Sequence, residues 1–104
     1  MSQFSLHYDS TIRELERKLG DLIDDGAEFD IERNGDVLVI EFEDGEKIVI
    51  TPQAPMEQLW VSANYAGHRF NWSEDKWKNE KGSEEFIGFL SRVLSEKLGS
   101  PIEI

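Results

Sequence analysis

The sequence predicts an α+β fold, a two-layer sandwich in which two helices pack on one face of a five- to six-stranded antiparallel sheet. An amphipathic helical pattern lies at each end of the chain, and alternating apolar runs separated by turn signals lie between them. A chain of 104 residues is long enough for one core. We therefore expect residues 1–104 to form a single domain.

The first helix is predicted from Tyr8 to Asp25, where apolar residues recur at intervals of three and four. Asp9 or Ser10 can cap its start, and Gly26 can end it in the left-handed conformation that glycine adopts readily. The apolar stripe consists of Tyr8, Ile12, Leu15, Leu19, Leu22 and Ile23.

The strands follow in order along the chain. The segment "AEFDIERNGDVLVIEFEDGEKIVIT" contains three alternating runs separated by the hairpin signals "NGD" and "EDGE", which predicts a three-stranded meander. "EQLWVSA" predicts a fourth strand, "HRFNW" a fifth and "KWKN" a short sixth. The last segment, "SEEFIGFLSRVLSEKL", predicts a second amphipathic helix with Ser83 as its cap. Both helices are expected on one sheet face, which leaves the other face open.

Several function classes are disfavoured by composition. The absence of cysteine excludes disulfides, thiolate metal sites and cysteine nucleophiles. His7 and His68 lack a spacing that would pair them, and no glycine-rich phosphate loop is present. We therefore expect no enzyme of a usual kind. The N-terminal segment lacks a signal pattern and no run approaches the ~18 apolar residues of a membrane span, so we expect a soluble, cytoplasmic chain.

Net charge is the strongest compositional signal. The formal charge is −11, from 22 acidic and 11 basic side chains, and most of the excess lies in the first half of the chain. Such a field repels nucleic acid and anionic membranes and favours cations or basic protein surfaces. The alternative is that an acidic surface merely aids solubility.

Acidic residues also occur where helix stability disfavours them. Asp21, Asp24 and Asp25 fall in the last turns of the first helix, where the macrodipole opposes negative charge by ~0.3 to 1 kcal/mol each. In the next strand, carboxylates alternate with Phe29 and Ile31 and so share one face. With Glu16 one turn further back, these carboxylates form a predicted acidic ridge. Its members are Glu16, Asp21, Asp24, Asp25, Glu28, Asp30 and Glu32.

Carboxylates without thiolate or imidazole suit hard or borderline cations such as Fe²⁺, Fe³⁺, Mn²⁺, Ca²⁺ or Mg²⁺. No EF-hand or other fixed ligand spacing is present, so a metal site here is expected to be open, weak and unselective. Docking of a basic protein is a second, compatible use of the acidic ridge. A solvated acidic face is the third interpretation.

Trp60 is predicted to lie outside the core. In "EQLWVSA" the period of a strand places Leu59 and Val61 on one face and Trp60 on the other. A tryptophan ringed by hydrogen-bonding groups and an arginine has the composition of an interaction hot spot. The alternative is that the Pro52 to Pro55 loop covers Trp60. The predicted surface patch consists of Gln58, Trp60, Arg69 and Asn71.

With these residues identified, the chain resembles the frataxin family, and more closely its bacterial CyaY-like branch. The resemblance extends from Phe4 to about Leu98 and is strongest in "ITPQAPMEQLWVSANYAGHRFNW". This segment is similar to the family pattern of a strand end, Gln, Pro, then Gln-aliphatic-Trp-aliphatic-small, a Gly turn and an aromatic-rich strand. One departure lies before Gln53, where Thr51 and Pro52 replace the Asn and Lys common in the family.

The resemblance implies the same α/β sandwich and a role in iron handling for iron-sulfur cluster assembly. In that family the acidic ridge binds iron (Fe²⁺ or Fe³⁺) weakly and reversibly and docks on a cysteine desulfurase. The surface patch meets the complex of that desulfurase with the iron-sulfur scaffold protein. The resemblance implies no nucleic-acid or membrane partner, and a monomer, with iron-dependent oligomers as the alternative. A processed eukaryotic relative would lie in the mitochondrial matrix.

Two rival functions remain at this point. The first is a metal-independent acidic interaction module that docks on a basic protein surface. The second is a ferroxidase side activity, in which Fe²⁺ bound at clustered carboxylates reacts with oxygen, as has been ascribed to some members of the family.

Overall fold

The computed structural model describes residues 3–63, 66–79 and 84–104. Two helices flank six strands, with a short 3₁₀ turn (Ala54–Met56) before the fourth strand. This architecture confirms the predicted α+β class. In chain order the elements are α1 (Gln3–Asp24), β1 (Phe29–Asn34), β2 (Val37–Phe42), β3 (Lys47–Gln53), β4 (Gln58–Ala63), β5 (Ala66–Ser73), β6 (Lys76–Asn79) and α2 (Phe86–Leu98).

The sheet is a continuous antiparallel meander in the order β1-β2-β3-β4-β5-β6. Each strand pairs with the next one in sequence, as short hairpin connections dictate. The predicted sixth strand is present at "KWKN", and a bridge between Lys78 and Glu85 carries the pairing on towards α2.

Helix α1 begins earlier than the sequence pattern predicts. It already includes Gln3, so Asp9 and Ser10 lie inside the helix and the prediction that one of them caps it is wrong. The extra turn is held by tertiary packing, because the ring of Phe4 contacts Trp77 edge-on with centroids 5.8 Å apart. Phe4 is buried, as Tyr8 is, and extends the predicted apolar stripe by one turn.

The C-terminal end of α1 follows the prediction. Gly26 has a φ of +101°, and its amide donates to the carbonyl of Ile23 at 2.9 Å. The amide of Ala27 donates to the carbonyl of Leu22, also at 2.9 Å. These two bonds make a Schellman motif, which satisfies carbonyls that the last helical turn leaves unpaired.

Both helices cover the same face of the sheet. Trp77 on β6 donates a hydrogen bond from its indole N–H to Thr11 of α1 at 2.8 Å, and Phe70 on β5 packs against Phe86 of α2. One core therefore lies between the layers. Its buried members are Phe4, Tyr8, Ile12, Leu15, Leu19, Phe29, Leu38, Ile40, Phe42, Ile48, Ile50, Leu59, Val61, Ala63, Phe70, Trp77, Phe86, Phe89, Leu90, Val93 and Leu94.

Helix α2 starts at Phe86 with Glu85 in the N-cap position, and the Glu85 side chain makes no capping hydrogen bond. The predicted cap, Ser83, lies outside the described residues. The amphipathic pattern predicts an apolar stripe on α2, and all of its members are buried except Leu98, which is half-buried. The buried members are Phe86, Phe89, Leu90, Val93 and Leu94. None of the helices in the described part has the length and apolar character needed to cross a membrane.

The C-terminal tail lies along α2. The hydroxyl of Ser95 accepts a hydrogen bond from the Ile102 amide at 2.8 Å, and the hydroxyl of Ser91 accepts one from the Ile104 amide at 3.2 Å. Both isoleucines pack against the core. The tail thus adds apolar contacts to the helical layer and leaves the opposite sheet face uncovered.

Candidate functional site

The surface patch lies on the sheet face that no helix covers. Leu59 and Val61 point into the core at 0% and 1% exposure, so the alternating residue Trp60 points the other way. In the register of β4 and β5, Trp60 is opposite Arg69 and Gln58 is opposite Asn71. Residues opposite each other in an antiparallel pair share a face, and the structure therefore brings the four predicted patch residues together.

Trp60 is half-buried, which differs from the expectation that it would be fully exposed. The guanidinium carbon of Arg69 lies over the indole, 4.8 Å from the ring centroid. This cation–π contact covers part of the ring that strand periodicity alone would leave in water. The tryptophan still lies outside the core, so its predicted face is correct.

A chain of hydrogen bonds fixes the orientation of the indole. The indole N–H of Trp60 donates to Oε1 of Gln58 at 2.8 Å, and Nε2 of Gln58 donates to Oδ1 of Asn71 at 3.2 Å. Gln58 is only 7% exposed, so the sequence-based expectation of a wet side chain is wrong for this residue. A buried amide with both its ends paired holds the indole in one rotamer.

Beside Trp60 the sheet surface forms a shallow depression of about 440 Å³. Thr51 lines it and lies directly opposite Trp60 in the register of β3 and β4. The departure from the family pattern at Thr51 and Pro52 therefore falls next to the key aromatic ring. The side chains on the helix-free face that line the depression are Val49, Thr51, Trp60, Ser62 and Arg69.

The acidic ridge is divided between two sides of the molecule. Phe29 is buried and Ile31 half-buried beneath the helical layer, so Asp30 and Glu32 project from the opposite, helix-free face. Glu16 belongs to α1 and contacts β1 from the helical side. Within residues 3–63, 66–79 and 84–104, no group of three or more His, Cys, Asp or Glu side chains is close enough to hold a metal ion.

Two members of the acidic ridge form ion pairs with arginine side chains. Glu16 contacts Arg33 at 3.2 Å and Asp21 contacts Arg17 at 3.6 Å. The remaining members make no ion pair with any residue that the structure describes. Those members are Asp24, Asp25, Glu28, Asp30 and Glu32.

Two contributors to the acidic surface were missed by sequence reasoning. Glu41 lies directly opposite Asp30 in the register of β1 and β2, and both side chains are exposed. Glu41 and Glu43 also line a shallow depression that Glu28 and Asp30 share. The signal was the alternation in "IEFE", which places both carboxylates on the helix-free face once β1 is known to pair with β2.

The two histidines pack separately against aromatic rings. His7 stacks on Trp72 with centroids 4.1 Å apart and planes 15° from parallel, while His68 tilts against Phe89 at 4.5 Å. Each is half-buried on the helical side of the sheet.

The fold and the patch thus define a small α+β sandwich whose uncovered sheet face presents an ordered aromatic and amide surface.

Comparisons with known proteins agree with this architecture. The family model described as the frataxin-like domain matches residues 1–100. The iron-sulfur cluster assembly protein CyaY of Paraburkholderia phymatum is 32% identical over 103 residues, covering 99% of this chain and 95% of that protein. The protein of the same name from Burkholderia mallei is 31% identical over 94 residues, covering 90% and 87%. The chain belongs to the frataxin-like family.

A solved structure supports the same assignment of the fold. Frataxin from Psychromonas ingrahamii, studied as a model of stability modulation within the CyaY protein family, superposes with a TM-score of 0.79. It is 27% identical in sequence, and the match covers 98% of this chain and 97% of that one.

Proposed function

We propose that this protein is an iron-binding protein of iron-sulfur cluster assembly. In this proposal it binds Fe²⁺ or Fe³⁺ weakly on its acidic ridge, and it regulates, or supplies iron to, a complex of a cysteine desulfurase and a scaffold protein. Membership of the frataxin-like family and similarity to iron-sulfur cluster assembly proteins named CyaY support the proposal.

The observation that carries the proposal is the ordered surface around Trp60. Its indole is fixed by Arg69 on one side and by Gln58 at the N–H. A half-exposed aromatic ring held in one rotamer loses little conformational freedom on binding, which is the property of an interface hot spot. The sheet face therefore suits docking on another protein better than it suits chemistry.

The acidic ridge suits weakly held iron. Its donors are carboxylate oxygens only, which match hard cations. Because the described carboxylates do not converge in groups of three, each ion would be held by one or two carboxylates and by water. Such ions exchange quickly, as delivery to a partner requires. Of the five ridge carboxylates without an ion pair in the described part of the chain, Asp24, Asp25 and Glu28 lie at or just after the end of α1.

A second candidate is the metal-independent interaction module. One observation favours it: the patch on β4 and β5 is built from indole, guanidinium and amide groups, without any carboxylate of the acidic ridge. Docking through Trp60 therefore does not require bound iron. In this version the acidic ridge contributes charge complementarity to a basic partner surface.

The test is an anaerobic Fe²⁺ titration followed by backbone amide chemical shifts, with Ca²⁺ as the control cation. We expect shifts within residues 14–32 and micromolar to millimolar affinity. In parallel, binding to a cysteine desulfurase is measured with Fe²⁺ and with a chelator. Binding that persists in chelator without any specific iron shift would favour the metal-independent module. Absence of both iron and desulfurase binding would contradict both functions.

A further inference from the structure

Arg33 holds an unusual position for a charged residue. It follows Phe29 and Ile31 on the inward face of β1, where the strand period calls for an apolar side chain. Its side chain is 24% exposed and extends towards α1. There its guanidinium contacts Glu16 at 3.2 Å and Asp9 at 3.6 Å, and its Nε donates to the carbonyl of Gly35 at 3.1 Å.

The contacts of Arg33 differ in kind from the other ion pairs of α1. Arg17 is 60% exposed and reaches Glu14 and Asp21 along the surface of the helix, where water and mobile ions compete with it. Arg33 instead joins two elements, and its third contact anchors the guanidinium to the β1–β2 turn. A fixed guanidinium with a backbone anchor is displaced less readily by an external cation.

The neighbouring Tyr8 supports a fixed geometry in this corner. Its hydroxyl donates to the carbonyl of Asp36 at 2.5 Å and lies 3.4 Å from the carbonyl of Ile50. Burial raises the pKa of this hydroxyl well above its usual range, and the positive charge of Arg33 opposes that rise. Arg33 therefore lies near Tyr8, Asp9 and Glu16 in one ordered contact region.

We infer that Arg33 is an internal counter-cation that closes the N-terminal part of the acidic ridge to external cations. Incoming cations are then received by the C-terminal part, from Asp24 to Glu32. Arg33 acts through Glu16 and is a positioning residue. The inference rests on the proposed function, since it refines which part of the acidic ridge is open.

The experiment compares Arg33→Gln with Arg92→Gln. Arg92 on α2 pairs with Glu84 and Glu96, away from the acidic ridge, so the control makes the same change in net charge. La³⁺, a hard diamagnetic cation that stands in for Fe³⁺, is titrated while the side-chain carboxyl carbon shifts of all Asp and Glu residues are recorded. Arg33→Lys tests whether a positive charge at this position restores the wild-type pattern of carboxyl shifts.

In the wild type and in Arg92→Gln, we expect La³⁺ to shift the carboxyl signals of Asp24, Asp25 and Glu28 but not that of Glu16. In Arg33→Gln, the signal of Glu16 should also shift, whereas Asp9 keeps its ion pair with Arg13 at 2.9 Å. The apparent affinity should rise about twofold to fivefold because one nearby positive charge is removed. Arg33→Lys should reverse most of this change. A purely structural role would alter thermal stability without opening Glu16 to the cation.

The inference is overturned if Glu16 already responds to La³⁺ in the wild type as strongly as Asp24 does. It is also overturned if La³⁺ shifts the same carboxyl signals in Arg33→Gln as in Arg92→Gln. Failure of the proposed function looks different, because the wild-type acidic ridge would then show no response to La³⁺ or Fe²⁺ at all. Even then, a new response at Glu16 in Arg33→Gln would support the role of Arg33, and its absence would reject that role.

Discussion

The guanidinium of Arg69 lies 4.8 Å from the centroid of the Trp60 ring, and the two residues are directly opposite each other on β4 and β5. A cation–π contact at a partly exposed site stabilises by about 0.5–1 kcal/mol. The larger consequence is geometric, because the contact and the Gln58 hydrogen bond hold the indole in place before any partner arrives. The side chain of Trp60 therefore loses little conformational entropy when a partner binds.

Replacing Trp60 should separate binding from folding. Under the proposed function, Trp60→Ala is expected to weaken binding to a cysteine desulfurase complex by about tenfold or more, as for a hot-spot aromatic residue, while the domain keeps its circular-dichroism spectrum. The core residue Trp77, which is 3% exposed, provides the contrast. Trp77→Ala should lower the free energy of unfolding by about 3–5 kcal/mol. Affinity measurements and thermal melts of both variants make the comparison, and a loss of folding in Trp60→Ala would assign Trp60 to the core.

Replacing the aspartates at the end of α1 with neutral residues should not lower the melting temperature. Asp24 and Asp25 lie where the helix dipole disfavours negative charge, and no basic residue occupies the last turn. Asp24→Asn with Asp25→Asn should therefore raise or preserve the melting temperature while lowering Fe²⁺ affinity. The control for Fe²⁺ affinity is Glu96→Gln with Glu103→Gln, which changes net charge equally at the other end of the chain. A clear fall in melting temperature for the first pair would remove the argument that these charges serve binding.

Two glycines of α1 should respond to alanine in opposite directions. Gly26 has a φ of +101° in the Schellman motif, so Gly26→Ala should lower the free energy of unfolding by about 1 kcal/mol. Gly20 lies inside the helix, and a Cβ added there meets nothing within 4 Å. Gly20→Ala should raise the free energy of unfolding by about 0.5–1 kcal/mol. Urea denaturation of both variants checks the pair, and effects of equal sign would contradict the proposed cap.

The contact between α2 and the β2–β3 hairpin should make the thermal stability of the protein depend on pH in the acidic range. Lys97 donates to Asp44 and, at 2.6 Å, to Glu46. The hydrogen bond from Lys97 holds the pKa of Asp44 below its ordinary value of 3.8. The unfolded chain then binds the proton more readily than the folded one. This stabilisation is present above pH 3.8 and is lost as pH falls through the lower folded pKa.

Lys97→Met should therefore melt a few degrees lower than wild type at pH 7, and the difference should shrink towards pH 2. Melting temperatures between pH 7 and pH 2 measure the effect. Lys76→Met is the control, since Lys76 is 58% exposed and lies 3.9 Å from Glu85. A difference that stays constant over the whole pH range would show that Lys97 stabilises through its packing on Phe42 and not through Asp44.

Much of the fold could be predicted from the spacing of apolar residues in the sequence alone. In "VLVIEF" a two-residue period places Leu38, Ile40 and Phe42 on one face of the strand, and all three are buried. The start of α1 was missed because Phe4 gains its helical conformation from contact with Trp77, a residue distant in sequence. The burial of Gln58 was missed for a similar reason, since its partners Trp60 and Asn71 converge only when β4 pairs with β5.

The sequence by itself determined the α+β class, the strand order, the face on which Trp60 lies and the resemblance to the frataxin family. These features depend on local period and on turns, which each segment encodes on its own. Only the tertiary structure decided that Arg69 covers Trp60 and that Arg33 contacts Glu16. It also showed that Asp30 lies on a different side of the sheet from Glu16. Charge pairing depends on which side chains meet across elements, and that is fixed by the packing of the helices on the sheet.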